Sequence, residues 1–232
     1  MRLSWLALLA GLGFAVCAQD DYSIQRKTMV ETQLKARDIY DKATLAAMGK
    51  VPREQFVPSE YRFYSYTDGP VSIGEGQTIS QPYIVAYMTQ ALRLKPHHKV
   101  LEVGTGSGYQ AAILAEIVDS VYTIEIVKPL GLRAKSLLKV LGYDNAIVKI
   151  GDGYHGWPEK GPFDAIIVTA GAEAIPKPLI DQLKDGGRMI IPVGPHRGVR
   201  QLVQVDKRNG KVRKKSVMAV RFVPFTRNKE HP

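Results

Sequence analysis

Val100-Leu101-Glu102-Val103-Gly104-Thr105-Gly106-Ser107-Gly108-Tyr109-Gln110 is the stretch on which the reading of this chain turns. Val100 to Val103 is an apolar run with one acid inside it, of a length that suits a buried strand, and the alternate glycines end that strand in a tight turn. A helical pattern opens at Tyr109. Glycines in such a turn let the backbone approach a ligand closely, and the helix that follows presents N–H groups with no partner of their own. A nucleotide-like group is therefore expected across the turn. Dinucleotide folds favour G-x-G-x-x-G, whereas this turn reads Gly104-x-Gly106-x-Gly108 after an acidic strand, so its helix is less committed to a pyrophosphate.

Outward from that stretch, short β-branched runs alternate with helical ones. Strands are predicted at Lys99 to Val103, Val121 to Glu125, Ala146 to Ile150, Ala165 to Thr169 and Met189 to Val193, with helices near Tyr109 to Val118, Pro129 to Leu141 and Pro176 to Lys184. That alternation predicts an α/β fold of Rossmann-like type, a mostly parallel sheet with helices on both faces. Beyond Arg200 the pattern is strand alone. Gln201 to Val205 and Val212 to Val223 are joined through Lys207-Arg208-Asn209-Gly210, and Asn-Gly is a strong hairpin signal, so an antiparallel pair should close the sheet. Ligands of such sheets lie beyond the carboxyl ends of the strands. Glu125, with Ile126 beside it, ends the second strand about 20 residues beyond the turn, where a carboxylate accepts hydrogen bonds from both ribose hydroxyls. Gly151-Asp152-Gly153 closes the third strand, and Asp152 either meets an adenine amino group there or is a plain turn residue.

The chain has 232 residues and 45% hydrophobic content, enough for one substantial core and short for two. A single domain over 19–232 is expected, with an N-terminal part (19–82) and a core (83–232). Ile24, Met29, Val30, Leu34, Ile39, Leu45 and Met48 predict two short amphipathic helices before Pro52. The stretch from Val51 to Pro82 is rich in Pro, Gly and Tyr, and is either a lid or substrate surface or an ordinary connector. The formal net charge is +10, which favours acidic partners, yet the densest basic cluster (Lys211, Arg213, Lys214, Lys215) lacks interleaved aromatics. Nucleic acid is not expected as a partner; a solvated basic face is. Residues 1–18 have the pattern of an export signal: Arg2, an apolar run from Leu6 to Val16, and compact residues before a cleavage point after Ala18. That run is too short for a permanent membrane anchor. Cleavage would also remove Cys17, the one cysteine, and with it any disulfide, thiolate catalysis or thiolate metal site. The other reading of this start is a misassigned initiation codon on a cytoplasmic protein.

The G-x-G-x-G turn after an acidic strand resembles motif I of Rossmann-like methyltransferases. Val51 to Pro58, Gly74-Glu75-Gly76-Gln77-Thr78-Ile79-Ser80-Gln81-Pro82, Gly104 to Tyr109, Gly151 to Gly153, Phe163 to Thr169 and Arg221 to Pro224 resemble, in order and spacing, the protein-L-isoaspartate methyltransferases. The resemblance runs from about Met29 to Thr226, and its specific element is Gln77 to Pro82, which general methyltransferases lack. It implies S-adenosyl-L-methionine as cofactor, held by Glu102, Gly104, Thr105, Gly106, Ser107, Gly108, Glu125, Ile126, Asp152 and Gly153. It implies Ser80 as the active-site serine, with Gln77, Thr78 and Ile79 lining the same cleft and Thr226 close by. The implied substrate is the free α-carboxylate of L-isoaspartyl residues in damaged peptides and proteins, whose methyl ester cyclises to a succinimide.

Read from the residues alone, Ser80 is not a nucleophile, because no Ser-His-Asp arrangement is visible and His97 and His98 follow Pro96 in an exposed turn. Its hydroxyl either orients a carboxylate, or caps the helix that starts at Pro82, or does both. No spacing of His, Cys and carboxylates suits a metal. A monomer is expected. Two rival readings share the fold: a methyltransferase for another substrate, and an exported binding protein without catalysis.

Overall fold

Along β3 (Lys99–Val103) the side chains alternate between two apolar clusters, Val100 entering one and Leu101 and Val103 the other, as the period of a strand requires. The same division runs across the sheet: Ala165, Ile167 and Ile190 join Val100, while Ile166, Val168, Met189 and Ile191 join Leu101. Both faces of these strands are buried, which is why their sequences are continuous apolar runs. The computed structural model describes residues 22–227. The proposed leader, its cleavage point and Cys17 lie outside the described residues.

The sheet has seven strands in the order β5-β4-β3-β6-β7-β8-β9. β3, β4 (Ser120–Glu125), β5 (Ala146–Ile150), β6 (Phe163–Val168) and β7 (Leu183–Val193) pair in parallel, and β8 (Arg200–Arg208) and β9 (Lys211–Val220) add antiparallel to β7. The first cluster is covered by α1 (residues 22–35, passing into a π-helical stretch at Met29–Lys35), α2 (Lys42–Lys50), α3 (Pro82–Ala91), α4 (Tyr109–Ala115) and α5 (Lys128–Val140). Leu34, Met48, Met88, Ile113 and Leu138 are their main buried contributions. Against the second cluster lie α6 (Lys177–Asp181) and the loop residue Trp157.

Local chemistry sets several of the boundaries. Asp41 caps α2, its carboxylate accepting from the Thr44 N–H at 2.8 Å. The terminal hairpin turns at Asn209 and Gly210, both with positive φ (51° and 72°), the geometry that matches the twist of the flanking strands. β9 is the outermost strand, and its residues from Lys211 to Ser216 are exposed.

Three expectations are corrected by the structure. The helix predicted to Lys184 ends at Asp181, and β7 begins at Leu183, because Leu183 pairs with Phe163 and is buried in the second cluster. The last strand stops at Val220; residues 221–223 leave the sheet, and the Val223 carbonyl instead accepts from the Gly171 N–H at 2.8 Å. The stretch from Val51 to Pro82 is more ordered than its composition suggests. It carries two 3₁₀ turns, Arg53–Phe56 and Ser59–Tyr64, and a small hairpin of β1 (Val71–Gly74) and β2 (Gln77–Ile79).

The central position of β3 gives a direct test of this packing. Leu101→Ala, at a side chain with no solvent exposure, is expected to cost about 2–5 kcal/mol, whereas Val212→Ala on the exposed outer strand should stay within about 0.5 kcal/mol. Urea denaturation of both variants checks the contrast.

Candidate active site

β3 ends at Val103, and the next residue turns the chain with φ of 99°, a conformation that favours glycine. A side chain at Gly104 would also meet the Thr169 hydroxyl, its Cβ lying 2.4 Å from Oγ1. That hydroxyl is committed, donating to the Gly104 carbonyl at 2.6 Å, so β6 holds the turn that leaves β3. On the other side the Gly104 N–H donates to the Ile124 carbonyl of β4 at 2.9 Å. Gly108, at φ 90°, starts α4.

Glu125, at the end of β4, closes the loop. One carboxylate oxygen accepts from the Gly106 N–H at 2.7 Å and the other from the Val127 N–H at 2.8 Å. A carboxylate has room for about four such bonds, so acceptor capacity remains toward the cleft that Glu125 lines. Glu102 lies on the same wall with no solvent exposure, and the Thr123 hydroxyl is a polar neighbour of its carboxyl. Burial, reinforced by the charge of Glu125 and opposed by the hydroxyl of Thr123, pushes its carboxyl up to about 8.

The cleft beyond this carboxyl edge holds about 790 Å³ of space not filled by protein atoms, part of it open solvent. Its inner wall is Glu102 to Ser107, with Glu125, Ile126 and Gly153 at one end; Gln77 to Ser80 and Val223 to Thr226 form the opposite rim. The two rims come from distant parts of the chain. The rim at Val223 is pinned by Gly171, whose N–H donates to Val223 and whose carbonyl accepts from the Phe225 N–H at 2.9 Å. A second, wider groove runs alongside, from Pro70 and Val199 past Val220 to Val223. Thr78, Ser80, Thr169 and Val223 line both hollows, so Ser80 stands where they meet.

Most of the predicted positions line this cleft, and three are placed otherwise. Gly108 is not on the cleft wall; it bears on the site by starting α4. Asp152 is behind the wall: one oxygen accepts from the Tyr154 N–H at 2.9 Å and the other from Arg227 Nε at 2.8 Å, leaving Gly153 to face the cleft. Ser80 does not cap α3. Gln81 occupies the cap position without a side-chain bond, and Pro82, which has no N–H to satisfy, opens the helix.

The sequence matches the family of protein-L-isoaspartate(D-aspartate) O-methyltransferases over residues 24–230. The chain belongs to this family. A protein-L-isoaspartate O-methyltransferase of Opitutus terrae is 59% identical over 229 residues, with 98% of each chain covered. Among solved structures, a protein-L-isoaspartate O-methyltransferase superposes with a TM-score of 0.78 at 30% identity, covering 86% of this chain and 65% of that one. The family enzyme of Plasmodium falciparum, in complex with S-adenosyl-L-homocysteine, superposes with a TM-score of 0.76 at 30% identity, covering 88% of this chain and 99% of that one.

Sequence reasoning missed Thr169 and Arg53. Thr169 carried a signal, since it stands at the carboxyl end of a predicted strand, the edge where ligands of this isoaspartyl methyltransferase fold bind. Arg53 carried none: an arginine among polar neighbours reads as a surface residue, and here it is fully buried, with its guanidinium donating to the Ser80 carbonyl at 2.7 Å.

Glu102 supplies a prediction with a definite sign. Its carboxyl holds a proton to about pH 8 in the folded chain but only to its ordinary value of 4.5 once unfolded, so the folded state binds more protons between those limits. The stability that Glu102 allows therefore falls as pH rises from 4.5 to 8. Glu102→Gln, which stays neutral, is expected to raise the melting temperature at pH 8 by on the order of 5–10 °C and to change it little at pH 5. Scanning calorimetry at the two pH values checks it; an equal effect at both would show that the carboxyl titrates normally.

Proposed function

We infer that this chain transfers a methyl group from S-adenosyl-L-methionine to the free α-carboxylate of L-isoaspartyl residues in damaged peptides and proteins, the activity for which its family is named. The observation that carries the reading is the place of Ser80, on the wall shared by the cleft at the glycine turn and an open groove. A cofactor in one hollow and a polypeptide in the other would meet at that residue.

The residues of the cleft fit the cofactor. Glu102, buried on the cleft wall, would meet the cationic amino-acid end, whose charge would favour the ionised carboxylate. Glu125 retains acceptor capacity for the ribose hydroxyls, and Ile126 and Gly153 bound the adenine end, with Asp152 and Arg227 behind them. Gly104, Thr105, Gly106 and Ser107 bring backbone close to the middle of the molecule, and Gln77, Thr78, Ile79 and Thr226 close over it from the opposite rim. When bound, S-adenosyl-L-methionine supplies an electrophilic methyl on a sulfonium.

What the chain itself must do is modest. The α-carboxylate is ionised at neutral pH, so no general base is needed. Ser80 donates a hydrogen bond that fixes the direction of the carboxylate, and the β1–β2 hairpin excludes water from the contact. The ester forms at the α-carbonyl of the isoaspartyl residue. The amide nitrogen of the following residue, bonded to its side-chain carbonyl, then attacks that ester and expels methanol, giving a succinimide; water opens the ring, in part to the normal aspartyl linkage. This second stage needs no residue of the enzyme.

We take the monomer as the catalytic unit. Among the described residues no helix is long and apolar enough to cross a membrane. We place the mature protein outside the cytoplasm on the pattern of residues 1–18, and expect N-terminal sequencing of protein from fractionated cells to begin at Gln19; a chain in the cytosolic fraction that retains those residues would remove export.

The activity is tested with radiolabelled S-adenosyl-L-methionine and a pair of synthetic peptides, one isoaspartyl and one aspartyl. Base-labile label on the isoaspartyl peptide alone is expected, and label on neither would overturn the reading. Ser80→Ala removes one bond to a charged group and is expected to lower kcat/KM roughly tenfold to a hundredfold.

A further inference from the structure

Arg53 has no ordinary reason to be where it is. Its side chain is among the largest fully buried ones in the chain, and no carboxylate pairs with it among the described residues. The adjacent acid, Glu54, is turned elsewhere, to Arg26 at 3.8 Å and to the Tyr66 hydroxyl at 2.5 Å. The guanidinium is held by neutral groups only. Nε donates to the Ser65 carbonyl at 2.6 Å, one terminal nitrogen donates to the Ser80 carbonyl at 2.7 Å, and the carbon lies 4.8 Å from the centre of the Tyr109 ring. The other terminal nitrogen, Nη1, is buried without any partner. Burial pushes the pKa of the group down, partly countered by Tyr109. A buried charge without a counter-ion is strongly unfavourable, and neutral acceptors offset only part of its cost, so an anion brought near it is attracted.

Of the residues that Arg53 touches, Ser80 and Tyr109 line the cleft, and Ser80 also lines the groove. We propose that Arg53 is the specificity-determining charge of this site, its missing counter-ion being the carboxylate of the substrate. The inference rests on the isoaspartyl reading above and assigns the residue that selects the acid. Arg53 acts through the field it places behind Ser80 and not by direct contact. At roughly 8 Å and an effective dielectric of about 20, one unit charge shifts the binding of a carboxylate about thirtyfold.

Two consequences distinguish this role from a structural brace. The field stabilises the anion more than the transition state, in which the carboxylate has begun to lose its charge, so Arg53 serves binding and not the chemical step. It also acts on the substrate and not on the product, because the methyl ester is neutral; methylation thus releases the peptide from the attraction that brought it in.

The experiment uses the full chain and three versions of one peptide, with the isoaspartyl α-carboxyl group free, amidated or methylated. In the parent enzyme the free acid is expected to bind ten- to thirtyfold more tightly than either neutral form, both neutral forms measured as competitive inhibitors. Arg53→Met and Arg53→Gln are expected to raise KM for the acid about tenfold, to leave kcat undiminished, and to change the inhibition constants of the neutral forms less than about twofold. Equal weakening of all three peptides, or a loss of kcat at constant KM, would reduce Arg53 to a structural tie and overturn the proposal. If neither variant folds, as judged by melting and by binding of S-adenosyl-L-homocysteine, the parent enzyme decides alone: equal affinity for acid and ester overturns it. Absence of any methylation of the acid by the parent enzyme would instead refute the activity itself.

Discussion

The Gly106 and Val127 amides converge on the single carboxylate of Glu125, and that convergence ties the glycine turn after β3 to the start of α5. Gly104 is held from the two neighbouring strands as well, by the Ile124 carbonyl and the Thr169 hydroxyl. Three parallel strands therefore deliver their carboxyl ends to one short loop and fix its backbone before any ligand is present. The consequence is preorganisation: little backbone has to be ordered when a nucleoside enters, so more of its contact energy is kept as affinity.

Around this fixed edge the chain brings pieces from far apart. The rim of Gln77 to Ser80 comes from the N-terminal hairpin, and that of Val223 to Thr226 comes from the segment following the last strand. Each is secured by its own device. Arg53 holds the Ser80 carbonyl from behind, while Gly171 bonds to both Val223 and Phe225. The reacting groups thus stand on a scaffold that the parallel sheet does not by itself determine, which is why the methyltransferase fold alone says little about the substrate.

The middle of the sheet was legible from the chain because β3, β6 and β7 are buried on both faces and written as mostly apolar runs, with glycine and Asn-Gly as punctuation. Glu125 and the glycine turn were legible for the same reason, since chemistry at the end of a recognisable strand has few places to go. What escaped depends on packing that no local pattern encodes. Leu183 looks like the last turn of a helix until Phe163 pairs with it. β1 and β2 have four and three residues, too few to establish a period, and their turn passes through Glu75 at a positive φ of 53°, not a residue that announces such a turn. Arg53 is the extreme case, a charge buried among Ser65, Ser80 and Tyr109, which are all distant from it in the chain.

The outermost strand adds a constraint of another kind. An enzyme that works on damaged polypeptides meets chains that are partly unfolded, and an open sheet edge is a template on which such chains can add as further strands. β9 is such an edge, and its exposed run carries Lys211, Arg213, Lys214 and Lys215. A strand adding there would have to bring its own backbone against a closely spaced row of cations and strip their water. The basic row therefore disfavours the addition of a further strand at this edge of the sheet.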